Sequence, residues 1–76
     1  MNNTEKIKKL CSDAAKGKIS PKDFYETLSQ TAAAEGEESD LACLLEDAMM
    51  DLEMDGSPEA VKETAARLTE ELNGHF

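Results

Sequence analysis

Apolar residues recur along the whole chain at intervals of three and four positions, the spacing that places them on one face of an α-helix. This period predicts four amphipathic helices of about 13 to 17 residues each. Their apolar stripes are Ile7, Leu10, Cys11, Ala14 and Ala15; Phe24, Leu28 and Ala32; Leu41, Leu44, Leu45, Ala48, Met49 and Leu52; and Val61, Ala65, Leu68 and Leu72. No segment alternates apolar and polar residues over the length of a strand. The sequence therefore predicts an all-α fold, a small four-helix bundle of short helices in one domain spanning residues 1–76.

Capping residues mark the boundaries of these helices. Ser20 is followed by Pro21 at the first helical position, where the missing N–H costs nothing. The pair Ser57 and Pro58 repeats this device before the fourth helix, and Ser39 or Asp40 begins the third. Glycine is expected to end three of the four helices, at Gly17, Gly56 and Gly74.

The composition limits the partners of the domain. It has 17 acids and 8 bases, a formal net charge of −9, which argues against nucleic acid and anionic membranes as direct ligands. No apolar run approaches the roughly 20 residues of a membrane span, and the first residues lack the apolar centre of a secretory signal. Cys11 and Cys43 are the two cysteines, and we expect both to be reduced. A cytoplasmic location is therefore expected.

Residues for catalysis or metal binding are scarce. The one histidine is His75, next to the end of the sequence, and no Cys-x-x-Cys motif is present. The segment starting at Asp51 has acids and a glycine at some positions of a calcium loop, but Lys62 stands where the bidentate glutamate belongs. We therefore predict no enzymatic activity, no metal site and no cofactor.

The acids are concentrated in the third helix and just before it. Eight acids and no base lie between Glu37 and Asp55, whereas residues 1–22 hold six lysines and two acids. None of the eight has a basic residue four positions away, and like charges at that spacing repel by a few tenths of a kcal/mol. A negative field of this kind attracts a basic protein and imitates a phosphate backbone. The candidate partner-binding residues are Glu46, Asp47, Asp51, Glu53 and Asp55.

The third helix also carries methionines. Met49, Met50 and Met54 are interpreted mainly as core filler, because a chain with few aromatic residues needs flexible side chains to fill gaps. An alternative interpretation leaves four apolar residues outside the main stripe, free to bury against a second copy of the chain; these are Ala42, Cys43, Met50 and Met54. A homodimer, and with it a helical adaptor or dimerisation module, stays open as the second function hypothesis.

A third hypothesis comes from the whole chain, which resembles an acyl carrier protein in size, acidity and helix count. In that family an Asp-Ser-Leu motif opens a long helix, and its serine takes phosphopantetheine. Here the string is Glu38-Ser39-Asp40-Leu41, so the modified residue would be Ser39. The chain departs from the family in having a well-capped helix from Ser20 where carrier proteins have a long irregular loop.

Two segments resemble bacterial toxin-immunity proteins. Lys16–Phe24 (KGKISPKDF) is similar to the junction of the first two helices in colicin-D-type immunity proteins. Asp55–Glu63 (DGSPEAVKE), with Asn73, Gly74 and Phe76, is similar to the last helix of the DNase-colicin immunity family, whose tyrosine pair before that helix is absent here. The resemblance implies a helical protein that binds and neutralises a nuclease toxin. It agrees with the leading hypothesis, a non-enzymatic acidic inhibitor of a basic nuclease or another nucleic-acid enzyme.

Overall fold

Four α-helices contain most of the residues that the structure, a computed structural model, describes, namely 2–36 and 38–75. They are α1 (Asn3–Ala15), α2 (Pro21–Glu35), α3 (Asp40–Met54) and α4 (Pro58–His75). Within those ranges no residue is in a strand, so the predicted all-α class is confirmed. Glu37, Phe76 and the side chain of His75, which entered the sequence analysis, lie outside the described part.

Each helix has an N-cap residue whose side-chain oxygen accepts a hydrogen bond from the backbone N–H of the residue three positions further on. The four capping residues are Asn2, Ser20, Ser39 and Ser57, with N···O distances of 2.9, 3.2, 3.4 and 3.2 Å. Pro21 and Pro58 occupy the first helical positions, as the sequence predicts. The third helix is capped by Ser39, and Asp40 is its first helical residue.

The helix C-termini agree less well with the sequence. Gly17 adopts a φ of 75° just after α1, as expected, and Gly36 follows α2 with a φ of 90°. Helix α3 ends at Met54 with Asp55 as its cap, one residue before Gly56. The prediction that Gly74 ends the fourth helix is wrong, because α4 continues through it. Glycine stops a helix when it takes positive φ, and Gly74 does not.

The packing of the helices places α1 and α3 at opposite corners of the bundle. The most extensive contacts join α1 to α4 and α2 to α3, while α1 and α3 barely touch. Neighbours run antiparallel: Asn3 at the start of α1 donates a hydrogen bond to Glu35 at the end of α2. Tyr25, near the start of α2, likewise reaches Glu53 near the end of α3. The lysine-rich first helix therefore lies across the molecule from the acidic third helix.

One core receives side chains from all four helices. Its buried apolar members are Ile7, Cys11, Ala14, Phe24, Leu28, Ala32, Leu41, Ala42, Leu45, Ala48, Leu52, Val61, Ala65, Leu68 and Leu72. The apolar stripes predicted from the sequence contain nearly all of these residues. Two predictions are corrected: Ala42 is 1% exposed and does not belong to an unburied apolar face, whereas Ala15, predicted on the first stripe, is exposed. Thr31 and Thr64 are also buried, and the hydroxyl of Thr31 has no hydrogen-bond partner among the described residues.

The interpretation of the methionines as core filler is wrong for two of the three. Met49 packs against the core, whereas Met50 and Met54 are 62% and 88% exposed. Helix geometry gives the reason, because each residue turns about 100° around the axis and Met50 falls opposite the buried Leu41. Met54 lies one turn further along the same outer side.

Candidate partner-binding surface

The five predicted partner-binding acids all lie on α3 or at its C-terminal cap. Four of them, Glu46, Asp47, Glu53 and Asp55, are exposed, and Asp51 is half-buried. They divide between two sides of the helix. Glu46 and Glu53 line grooves shared with α2. The other three, Asp47, Asp51 and Asp55, line grooves shared with α4. The structure therefore brings them together as two acidic borders and not as one cluster.

Between the two borders lies an outer surface that is not acidic. It contains Met50 and Met54, the large exposed hydrophobic side chains of the described chain, and we call this pair the methionine ridge. Residues four apart on a helix are neighbours, about 6 Å from each other, so the two side chains form one continuous apolar strip. The exposed Cys43 lies on the same side of α3, about two turns before Met50.

Asp51 has a basic partner that the sequence analysis missed. Arg67 of α4 donates a hydrogen bond to Asp51 and forms an ion pair with it. Arg67 also borders the α3–α4 groove of about 370 Å³ that contains Asp47 and Glu71. Sequence spacing could not reveal this pair, because the two residues lie 16 positions apart and on different helices. Asp51 stays a candidate partner-binding residue, but Arg67 offsets part of its charge within the domain.

Two other acids also have contacts within the molecule. Glu53 accepts a hydrogen bond of 3.2 Å from the hydroxyl of Tyr25. Partial burial, together with the negative charge of Glu53 and this hydrogen bond, raises the pKa of Tyr25. Asp55 accepts the backbone N–H of Ser57 at 3.1 Å, which helps to position the start of α4.

Glu46 and Asp47 are the predicted acids left for an external partner. Both are exposed, and neither forms a side-chain hydrogen bond or ion pair within residues 2–36 and 38–75. They lie on opposite sides of the methionine ridge. A charge without an internal partner stabilises nothing within the domain, and Asp47 also repels Asp51 four residues away. Glu46 and Asp47 are therefore the strongest candidates for binding.

The two cysteines occupy contrasting environments and are both free. Cys11 is buried in the core, where burial raises the pKa of its thiol to about 11, against a smaller lowering effect from Thr69. A thiol held neutral in this way is inert, so Cys11 is a core residue as predicted. Cys43, which the sequence placed outside the main stripe of the third helix, is exposed.

Other chemistry has little structural basis in the described residues. No group of three His, Cys, Asp or Glu side chains there is arranged to hold a metal ion. The Ser39 hydroxyl caps α3 and also lies 3.4 Å from a carboxylate oxygen of Glu35, to which it donates a hydrogen bond. None of the helices described combines the length and the apolar composition needed to cross a membrane.

No protein-family model, no curated protein and no solved structure matches the chain. The resemblance of Lys16–Phe24 and Asp55–Glu63 to immunity proteins therefore stays a prediction. In the structure, the first segment covers the turn after α1 and the first residues of α2, and the second covers the turn after α3 and the first residues of α4.

Proposed function

We propose that this domain is a non-enzymatic, acidic protein-binding inhibitor, an immunity-type neutraliser of a basic nuclease or another nucleic-acid enzyme in the cytoplasm. The surface of α3 is the binding site in this proposal. The acidic surface binds the basic surface of the enzyme on which the phosphate backbone of the nucleic acid would otherwise lie. Inhibition involves no chemical step.

The observation that carries the proposal is the unpaired charge of α3. Glu46 and Asp47 are exposed and lack internal partners in the described chain, in contrast to Asp51, which pairs with Arg67 of α4. The C-terminal half of α3 also places carboxylates at the negative end of the helix dipole. A small domain that keeps these unfavourable charges gains from them in association, where they steer a basic partner and accelerate binding.

The first experiment is to capture the partner and test its activity. The purified domain is immobilised, and the basic proteins it retains are identified and assayed for cleavage of DNA and RNA. We expect one retained protein to be a nucleic-acid enzyme that is inhibited at a one-to-one ratio. Retention of proteins whose activity on nucleic acid is unaffected by the domain would contradict the inhibitor function.

The second experiment tests the surface with matched charge variants. Glu46→Gln combined with Asp47→Asn removes two charges from α3, and Glu59→Gln combined with Glu70→Gln removes two exposed charges from α4. The α3 pair should slow association several-fold at low salt, and the α4 pair should have a smaller effect. Equal effects of the two pairs, or an association rate indifferent to salt, would show that α3 is only a solvated face.

Self-association is the second candidate function, because Met50 and Met54 are exposed on one side of α3. An adaptor or dimerisation module would bury them against a second copy. Light scattering coupled to size-exclusion chromatography separates the two candidates. An inhibitor is a monomer when free, whereas a dimerisation module elutes at twice the monomer mass of 8.3 kDa.

A further inference from the structure

The methionine ridge is an apolar surface with no partner inside the described molecule. Scattered surface hydrophobic residues are ordinary, but Met50 and Met54 are adjacent, 62% and 88% exposed, and together form a strip. The helix does not require them, because Gln or Lys has a comparable helix propensity. Met is also the side chain that adapts its shape to different apolar surfaces, which suits it to binding.

The borders of the ridge define the charge of whatever covers it. Glu46 and Glu53 lie on the α2 side, and Asp47 and Asp51 lie on the α4 side. Any occupant of the ridge therefore meets carboxylates to its left and to its right. An occupant with apolar residues along its centre and Lys or Arg on both sides would bury the methionine ridge and pair with the carboxylates of both borders.

We propose that the methionine ridge binds a basic amphipathic helix of the partner protein. The apolar stripe of that helix lies on Met50 and Met54, and its flanking basic side chains reach the two acidic borders. In the groove beside Met50, Arg67 already pairs with Asp51, so the basic side chain that enters there reaches Asp47 and Glu71. The surface from Cys43 to Met54 is about 16 Å long, enough for three turns of a docked helix. This inference rests on the proposed inhibitor function and specifies the element of the partner that is recognised.

A second copy of the chain fits this surface poorly. Two α3 helices packed through their ridges would bring the acidic borders of one copy against those of the other. The lysine-rich α1 has the right charge, but its apolar residues Ile7, Cys11 and Ala14 are already buried in the core. Charge and burial therefore both favour a different protein as the occupant.

A synthetic peptide provides a direct test that does not require the partner. The probe is a fluorescein-labelled amphipathic peptide of about 14 Leu and Lys residues, and its control has the same composition in an order that gives no apolar face. Binding is followed by fluorescence anisotropy at physiological salt. We expect the amphipathic peptide to bind at least about tenfold more tightly than the control peptide. Equal affinities would overturn the proposal, because charge alone would then explain binding.

Matched variants locate the binding surface. Met50→Gln combined with Met54→Gln should remove most of the preference for the amphipathic peptide, whereas Ala66→Gln at an exposed position of α4 should leave it unchanged. Circular dichroism and the melting temperature verify that each variant is folded. Wild-type affinity in the double methionine variant would overturn the proposal. So would a wild-type dimer that the same double variant converts to a monomer, since the occupant would then be a second copy.

Oxidation of the methionines gives an independent measurement on the native protein. Dilute hydrogen peroxide should oxidise Met50 and Met54 faster than the partly buried Met49, as measured by mass spectrometry of peptides. The bound amphipathic peptide should slow oxidation of Met50 and Met54 at least about threefold, since it covers both sulfur atoms. Unchanged oxidation with the peptide bound would place it elsewhere and overturn the inference.

Failure of this inference is distinguishable from failure of the proposed function. The charge variants of Glu46 and Asp47 test whether the acids accelerate association with the partner. The methionine variants test whether the apolar ridge contacts the docked helix. If a captured nuclease is inhibited with a salt-dependent association rate and the methionine variant inhibits normally, the function stands and the docking inference is wrong. If no nucleic-acid enzyme is inhibited while the peptide binds through the methionines, the docking surface stands and the inhibitor function is wrong.

Discussion

Cys11 lies in the core beside Thr69, whereas Cys43 is exposed on the outer side of α3. The same contrast separates Met49 from its neighbour Met50. At the scale of single residues, identical side chains thus differ in function because helix geometry turns one into the core and the other into water. Burial then sets the chemistry: a buried thiol stays neutral, and an exposed methionine stays available for contact.

Stability should fall at high pH because of Cys11. Its pKa is about 11 in the folded domain against an ordinary value of 9.0, so the folded state holds the proton more tightly than the unfolded chain. The contribution is complete below pH 9 and is lost as the pH rises towards 11, by about 3 kcal/mol in total. Urea unfolding at a pH of about 8 and of about 10.5 measures this loss.

Cys11→Ala is the control for that pH dependence, because it removes the thiol and leaves every other titrating group in place. The variant should lose less stability than the wild type between the two pH values. Equal losses in the two proteins would show that Cys11 does not titrate with a raised pKa.

The cap of α2 should contribute about 1 kcal/mol to the free energy of unfolding. Ser20 accepts the N–H of Asp23 at 3.2 Å, so Ser20→Ala leaves that donor without its side-chain partner. Ser12→Ala is the matched control, since Ser12 is exposed within α1, where alanine is the better helix former. Chemical denaturation of both variants should show a loss at Ser20 and none at Ser12.

At the scale of elements, α3 has two distinct relations to its neighbours. Its inner side packs extensively on α2, while α4 supplies Arg67 to one of its carboxylates. Most of the charge on α3 is left without such a partner in the described chain. Burial of its apolar side therefore stabilises α3 in the bundle, whereas repulsion between its carboxylates slightly lowers the stability of the domain. That loss of stability is offset only when the outer surface binds a partner.

The pair of Arg67 and Asp51 should show a measurable coupling between α3 and α4. Both side chains are about half exposed, so a coupling of about 0.5–1 kcal/mol is expected. The measurement is a double-mutant cycle with Arg67→Gln, Asp51→Asn and both together, analysed by urea unfolding. The coupling should shrink at about 1 M NaCl, where the Debye length is about 3 Å. Strictly additive effects at low salt would show that the pair contributes nothing.

At the scale of the whole molecule, charge is separated between opposite corners of the bundle. Lys6, Lys8 and Lys9 lie on α1, which barely touches α3, whereas Lys22 at the start of α2 lines the groove that contains Glu53. In the proposed function, the acidic side attracts a basic partner more strongly than the side with the α1 lysines does, so the domain is oriented before contact. The fold thereby turns an uneven charge distribution along the chain into a directional field.

Salt should stabilise the domain as a whole, because a net charge of −9 makes self-repulsion dominate over its single described ion pair. Raising NaCl from about 20 mM to about 300 mM should increase the melting temperature by several degrees, since about 1 kcal/mol corresponds to roughly 4–8 °C at this size.

The variant with Glu46→Gln and Asp47→Asn should start from a higher melting temperature at low salt and gain less from added NaCl. A melting temperature that is flat or that falls over this range would mean that attractive pairs outweigh the repulsion.

The sequence predicted the helices and most of the core because both depend on local information. The spacing of Ile7, Leu28, Leu45 and Leu68 within their stripes indicates an inward side for each helix, and that side is the buried one. The serine caps are equally local, since each bonds a backbone group three residues away. The error at Gly74 arose because glycine permits the end of a helix without requiring it.

Only part of the candidate site could be predicted from the sequence. The acids of α3 could be counted, but their pairing could not, because Arg67 and Tyr25 come from other helices and meet Asp51 and Glu53 only when the bundle assembles. The exposure of Met50 and the burial of Ala42 also depend on how wide an arc of α3 its neighbours cover.

The sequence by itself determined the all-α class, the positions at which the helices begin, the buried stripes and the uneven charge. Each follows from interactions within a few residues of chain or from composition alone. Only the tertiary structure decided which acids have partners, which methionines face water, and that α1 lies opposite α3. These depend on which sides of the helices meet, and that choice is made by the packing of all four apolar stripes together.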